Sequence, residues 1–292
     1  TVPSLALDKD INDNEFILNV NGNITYSSSI SGADGNGPVG GLAGRIQNSV
    51  IESCSAFDMN IRSPKSYSGG LFGYDVSTGA TVMNCWTSGI IGGDSSHGGD
   101  LNGQRTGGIC GGLINMHTAI INCYSTMSVL NTYAMGGIAG HCNLDKNNAN
   151  KTHANNPTNT KPYNTIQGCI AWNDEITSHA TDSDADHYSS GAIAGYITVN
   201  DYLINCLRKS DLSFKDYNDW TPYDQENSSP SVPLVVNEYS GKNYHYPYHG
   251  KAFNGTLSAA AASLGWDEDV WDLSGSVPVL TGVIQAVTPS SG

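Results

Sequence analysis

The sequence predicts an all-β solenoid of about five to six coils, closed by a C-terminal cap that contains a short helix. A glycine motif recurs as GGLAG at Gly40, GGLFG at Gly69, GGICG at Gly107, GGIAG at Gly136 and GAIAG at Gly191, with starts 29, 38, 29 and 55 residues apart. A cysteine follows each motif in phase, at Cys54, Cys85, Cys123, Cys169 and Cys206. Composition agrees: 34 Gly and a charged fraction of 14% describe one turn-rich, repetitive body. A unit this small cannot enclose a core alone, so its copies must stack.

The chain divides into residues 1–37 as an N-terminal cap or first coil, 38–212 as repeats with insertions, and 213–292 as an aromatic-rich segment and C-terminal cap. Each coil reads as a short strand over G-G-x-x-G, a turn, a strand ending near the cysteine, and a third strand such as Met59 to Arg62. Gly suits the corners because it turns at any φ without colliding with neighbouring coils. No G-x-x-x-x-G-K-[S/T] is present, so phosphate binding by these loops is excluded.

Equivalent residues of adjacent coils lie about 4.8 Å apart, so the five cysteines form a buried column of packed thiols. That spacing exceeds the Cβ separation of a disulfide, and seven cysteines leave one unpaired. Cys110 and Cys142 fall outside the column, one unit apart, and could bridge. Residues two before and two after each column cysteine should point inward. Upstream the register is imperfect (Glu52, Met83, Ile121); downstream come Ala56, Thr87, Ser125, Ala171 and Arg208. Arg208 does not suit a narrow interior and marks the end of the regular stack.

G-G-[LI]-x-G, followed by [IV]-x-N-C-[WY]-S, resembles the GLUG repeat of bacterial cell-surface proteins over roughly residues 38 to 212. The resemblance implies a right-handed parallel β-helix of an adhesin-like, exported protein, and no particular activity. The segment Gly265 to Leu280, GWDEDVWDLSGSVPVL, resembles the closing element of such proteins, which makes Trp266 and Trp271 core residues.

What does not repeat is the place to look for function. Insertions lie at Gly93 to Thr106, Asn143 to Tyr163 and Ser178 to Tyr188, and solenoid insertions collect on one face. In the third, Asp182, Asp184 and Asp186 have the alternate oxygen spacing that opens a Ca²⁺ loop, without its glycine or distal glutamate. The residue after each column cysteine should face outward, so Trp86 and Tyr124 stack in consecutive coils. This strip is either a sugar platform or a ladder that another segment covers. From Phe214 to Phe253 the aromatics crowd together, including Trp220, Tyr223, Tyr244, Tyr246 and Tyr248. They either bind carbohydrate or pack over the open end of the stack. Next, Thr256 to Leu264 reads as a short helix stopped by Gly265.

A net charge of −14 with only 13 Lys and Arg argues against nucleic-acid and anionic-membrane partners and makes neutral glycans, proteins or cations the more natural ligands. No apolar stretch approaches the roughly 20 residues of a membrane helix. The chain begins at Thr1 without a signal-peptide layout, which fits a processed or truncated form. Catalytic motifs are absent, and the one grouping suited to a polysaccharide lyase is Arg208 and Lys209 beside the acidic loop. The leading expectation is a non-catalytic, extracellular binding protein that takes a glycan or host-cell ligand. The alternatives are a structural or accessory subunit with an outer-membrane protein partner, and a lyase or hydrolase.

Overall fold

The computed structural model describes residues 19–25, 37–62, 67–75, 80–92, 105–113, 118–131, 134–142, 164–178, 189–197, 202–215, 221–225 and 246–281. It is all-β, with one short helix. The chain visits four parallel ladders in the same order in every turn. The first ladder holds Val39–Gly40, Tyr67–Gly69, Arg105–Gly107, Ala134–Gly136 and Ser189–Gly191. The second holds Ala43–Ile46, Phe72–Asp75, Cys110–Leu113, Ala139–Cys142 and Ala194–Ile197. The third runs from Val50–Glu52 to Tyr202–Ile204. The fourth is a 10-stranded sheet that includes Ser55–Arg62, Trp86–Gly92, Tyr124–Ser125, Ile170–Ala171 and Leu207–Lys209. Asn19–Thr25 extends this ladder at one end by pairing with Ser55–Arg62, and Lys251–Phe253 extends it at the other.

The motif glycines are required for close approach and not for an unusual φ, since none of the five GG or GA pairs has positive φ. At Gly70, a Cβ would strike the Gly108 carbonyl oxygen and Met127 Sδ, and would sit 3.0 Å from Thr87 Cβ. The last repeat carries Ala192 in this second place. Its coil is followed not by another coil but by the antiparallel strand Tyr246–Tyr248, which pairs with Ala194–Ile197.

The left-handed positions lie elsewhere, directly before each column cysteine. Ser53, Asn84, Asn122, Gly168 and Asn205 have φ of 51°, 53°, 51°, 61° and 50°. Asn and Gly tolerate this region better than other residues, which explains the N-C of the repeat. The turn also corrects the expected upstream register. A left-handed residue interrupts strand alternation, so the inward side chains lie three residues before the cysteine: Ile51, Val82, Ile120, Ile166 and Leu203, all buried. Glu52, Met83 and Ile121, two before, lie on the outer side and are exposed or half-buried. Downstream the expected positions are all interior, Arg208 included.

All seven cysteines are free and buried. Each column thiol donates to the carbonyl two residues earlier, from Cys85 to Met83 at 3.0 Å to Cys206 to Ile204 at 3.5 Å. Burial raises the Cys123 and Cys206 thiols well above their ordinary value, which keeps them protonated donors. Cys110 pairs in register with Ala139, and Cys142 with Leu113, so the two remain unbridged thiols offset along the ladder.

The insertions at 93–104, 143–163 and 179–188 lie outside the described residues, as do Asp182, Asp184 and Asp186. Their flanks correct the expectation of a single insertion face. The first and third leave the fourth ladder and rejoin at the first, whereas the second leaves the second ladder and rejoins at the third.

The helix Leu257–Ser263 forms as expected. Thr256 caps it by accepting from the Ala259 N–H at 3.1 Å, and Gly265 stops it at φ 72°. Its small buried face, Ala260 and Ala261, allows close approach to the outer side of the fourth ladder. Trp271–Asp272 and Val279–Leu280 pair antiparallel and complete the cap.

Candidate functional site

Trp86 and Tyr124 stack as expected, with centroids 5.5 Å apart and planes 9° from parallel. Two facts remove this strip as a sugar platform. Stacking along the ladder turns the ring faces toward one another, and Phe57 occupies the other side of Trp86 at 5.9 Å and 22°. A sugar needs a free face. The C-terminal cap also covers the strip: Tyr124 is 1% exposed, and its hydroxyl donates to the Pro278 carbonyl at 3.0 Å. Burial pushes that hydroxyl's pKa up. Trp266 and Trp271 pack on Tyr124 with centroids at 6.2 and 5.7 Å, and Trp266 Nε1 donates to the Gly168 carbonyl at 2.9 Å. Both tryptophans are core.

The end of the stack is plugged by the residues after the last coil. Tyr248 is fully buried in the main core, which excludes it as a ligand contact. Arg208 donates from Nη1 to the carbonyls of Gly250 at 2.7 Å and Tyr223 at 3.2 Å, and pairs through Nη2 with Asp224 at 3.0 Å. The guanidinium thus replaces the missing next coil as a source of hydrogen bonds. His249 is buried beside it: Nδ1 accepts from the Ala192 N–H at 3.0 Å, and its backbone N–H donates to Gln225 Oε1. Burial, reinforced by the nearby Arg208 charge, lowers the His249 pKa to about 3. Lys209 pairs with Asp174 at 2.7 Å and Asp211 at 3.4 Å. Arg208 and Lys209, the basic part of the grouping that suggested a lyase, are therefore engaged in holding the end of the fold, while its acidic loop lies outside the described residues. Tyr223 is exposed at the rim, its ring 5.3 Å from His249. Trp220 and Tyr244 lie outside the described residues, and for Tyr246 only the backbone is described, in its strand.

A second aromatic stack stands on the outer side of the first and second ladders. The residue directly after each glycine motif is Arg45, Tyr74, Gly112, His141 and Tyr196, and these lie in one register column. Gly112 leaves a gap in the column. Tyr67, from the first ladder, lies between Tyr74 at 5.0 Å and His141 at 6.2 Å. His141 meets Tyr196 edge to face at 4.2 Å. Two arginines lie over ring faces: Arg45 over Tyr74 at 5.3 Å and Arg105 over Tyr67 at 4.8 Å. Arg45 is exposed, and Tyr74, Tyr67 and Arg105 are half-buried, while His141 and Tyr196 are buried at the far end. The open part is thus a cationic, aromatic surface across the first three coils. The available signal was the outward position after each motif, which carries Arg, Tyr, His and Tyr in four of five repeats.

Among the described residues, no group of three or more His, Cys, Asp or Glu could hold a metal ion, and no helix is long and apolar enough to cross a membrane.

No family model and no curated protein matches the chain. Among solved structures it is similar to the crystal structure of a putative immunoglobulin A1 protease from Bacteroides ovatus, at 13% identity and a TM-score of 0.48. That alignment covers 91% of this chain and 86% of the other.

Proposed function

We propose that this protein is a non-catalytic binding protein of a bacterial cell surface, which recognises glycan on a right-handed parallel β-helix of the GLUG-repeat kind. The observation that carries this reading is the open stack of Arg45, Tyr74, Tyr67 and Arg105, unlike the strip at Trp86 and Tyr124, which is covered. Arginines lie over the ring faces here, so what the stack offers a sugar is guanidinium N–H donors for its oxygens, held in place by the tyrosines, with the ring edges beside them. Stacked in register, these groups form a fixed surface, so little side-chain entropy remains to be lost on binding.

The test is a glycan array followed by calorimetry, with and without Ca²⁺, on the wild type and on the Tyr67→Ala/Tyr74→Ala double variant. Binding that the double variant loses while its fold persists is the expected result. A chain that binds no glycan and co-purifies with a partner protein would favour the second reading, an accessory subunit of an outer-membrane assembly. That reading draws on the outer side of the third ladder, where Val50 is 71% exposed and Met83, Ile121 and Ile204 are half-buried.

A further inference from the structure

We infer that the open stack takes an anionic sugar, one bearing a carboxylate or sulfate, with Arg45 as its principal anion contact; this rests on the reading of that face as a glycan-binding surface. The whole chain has four arginines, at 45, 62, 105 and 208, and two of them lie over the tyrosines of this one stack. A guanidinium that spends its face on a ring keeps its in-plane N–H donors for a second partner. Those donors form a planar fork, whose best partner is a planar or multi-oxygen anion held through two parallel hydrogen bonds. Arg45 meets this description at an exposed position, held over Tyr74. Arg105 lies over Tyr67 two coils further on, about 10 Å along the stack at the ladder spacing, and the anion contact rests on Arg45.

The net charge of −14 bears on this site only through the carboxylates that stand near it. Charges more than about 8 Å away are screened at physiological ionic strength, so the nearest groups decide what an anion meets. Among the described residues, the carboxylate next to Tyr74, Asp75, is fully buried and accepts from the Thr118 hydroxyl at 2.7 Å on the inner side of the strand, whereas Glu52, further along the chain from Arg45, is exposed on the third ladder. The negative remainder of the surface instead restricts the partner. A short acidic oligosaccharide seated on the stack is favoured over a long polyanion draped across the molecule.

The experiment is calorimetry at about 0.15 M salt with three oligosaccharide series of equal length: oligogalacturonates, sulfated galactans and neutral galactans. An acidic series should bind best, and Arg45→Ala should weaken it by about tenfold or more, the worth of a hydrogen bond to a charged group. Arg45→Lys should weaken it nearly as much, because lysine keeps the charge and lacks the planar fork. The uronate and sulfate arms tell which anion is read. Neutral galactans that bind as well as acidic ones, with Arg45→Ala without effect, would overturn the anionic inference and leave the glycan-binding surface standing. Absence of binding in all three series would remove both. Because Arg45 is exposed, thermal unfolding of its variants should match the wild type and exclude loss of fold as the cause.

Discussion

The molecule carries two aromatic stacks built on the same ladder geometry, and their surroundings separate them. On the fourth ladder, Phe57, Trp86 and Tyr124 stack in successive coils, and Trp266, Trp271 and Leu280 of the C-terminal cap close over that ladder. On the second ladder, Tyr74 stands between Arg45 and Tyr67, and these side chains keep contact with solvent. Apolar neighbours cover the first stack, whereas cations lie over the second. An aromatic ladder alone therefore does not mark a binding site; what lies over the rings decides between core and recognition surface.

This contrast is broken most severely from the covered side. Trp271 is fully buried and packs on both Tyr124 and Trp266. Trp271→Ala should cost about 3–5 kcal/mol, the usual range for removing a large buried aromatic. Urea unfolding measures it, and a loss below about 1 kcal/mol would mean that the cap is not what holds the strip.

The closed side also includes the plug at the end of the stack, where His249 gives a pH signature. An unfolded histidine takes up a proton near pH 6.5, whereas the buried imidazole, held neutral with Nδ1 accepting from Ala192, stays unprotonated to about 3. Between these values the unfolded state binds more protons. Stability is therefore fully present above pH 6.5 and is lost as the pH falls, by about 1.4 kcal/mol per pH unit. Confining the measurement to pH 6.5–5 limits the contribution of carboxylate titration. The expected outcome is a slope in the wild type that His249→Gln removes; equal slopes would show that the imidazole titrates alike in both states.

Much of this contrast was legible in the sequence, but unevenly. The glycine motif and the column cysteines place the ladders because both mark steric conditions that recur in every coil. Arg208 could be read as the end of the stack because a guanidinium does not fit where Ala56, Thr87, Ser125 and Ala171 do. The upstream register could not be read by alternation, since that rule assumes extended backbone throughout and the residues from Ser53 to Asn205 before the cysteines are left-handed. Tyr124 showed its outward direction but not its cover, which arrives from Pro278, 154 residues later. The open stack is only partly legible, through the residue after each motif, because that column is interrupted by Gly112 and completed by Tyr67, a residue of a different ladder. A side chain such as Tyr67, which joins the column across a corner, leaves no periodic trace in it.

The smallest expected effect is also the one that sharpens the comparison most. Tyr74→Ala removes a half-buried ring, its contact with Tyr67 and its cation–π partner Arg45, which together are worth about 1 kcal/mol at a site open to water. Its unfolding transition should thus lie much closer to the wild type than that of Trp271→Ala, while glycan binding falls by about tenfold or more, the cost of an arginine no longer held over its ring. The ratio of the two losses is the discriminating quantity. A ring kept for architecture loses stability first and binding only through unfolding; a ring kept for recognition loses binding in a molecule that still melts near its original temperature. If Tyr74→Ala were instead as destabilising as Trp271→Ala, both stacks would be structural, and recognition would have to be sought elsewhere on the molecule.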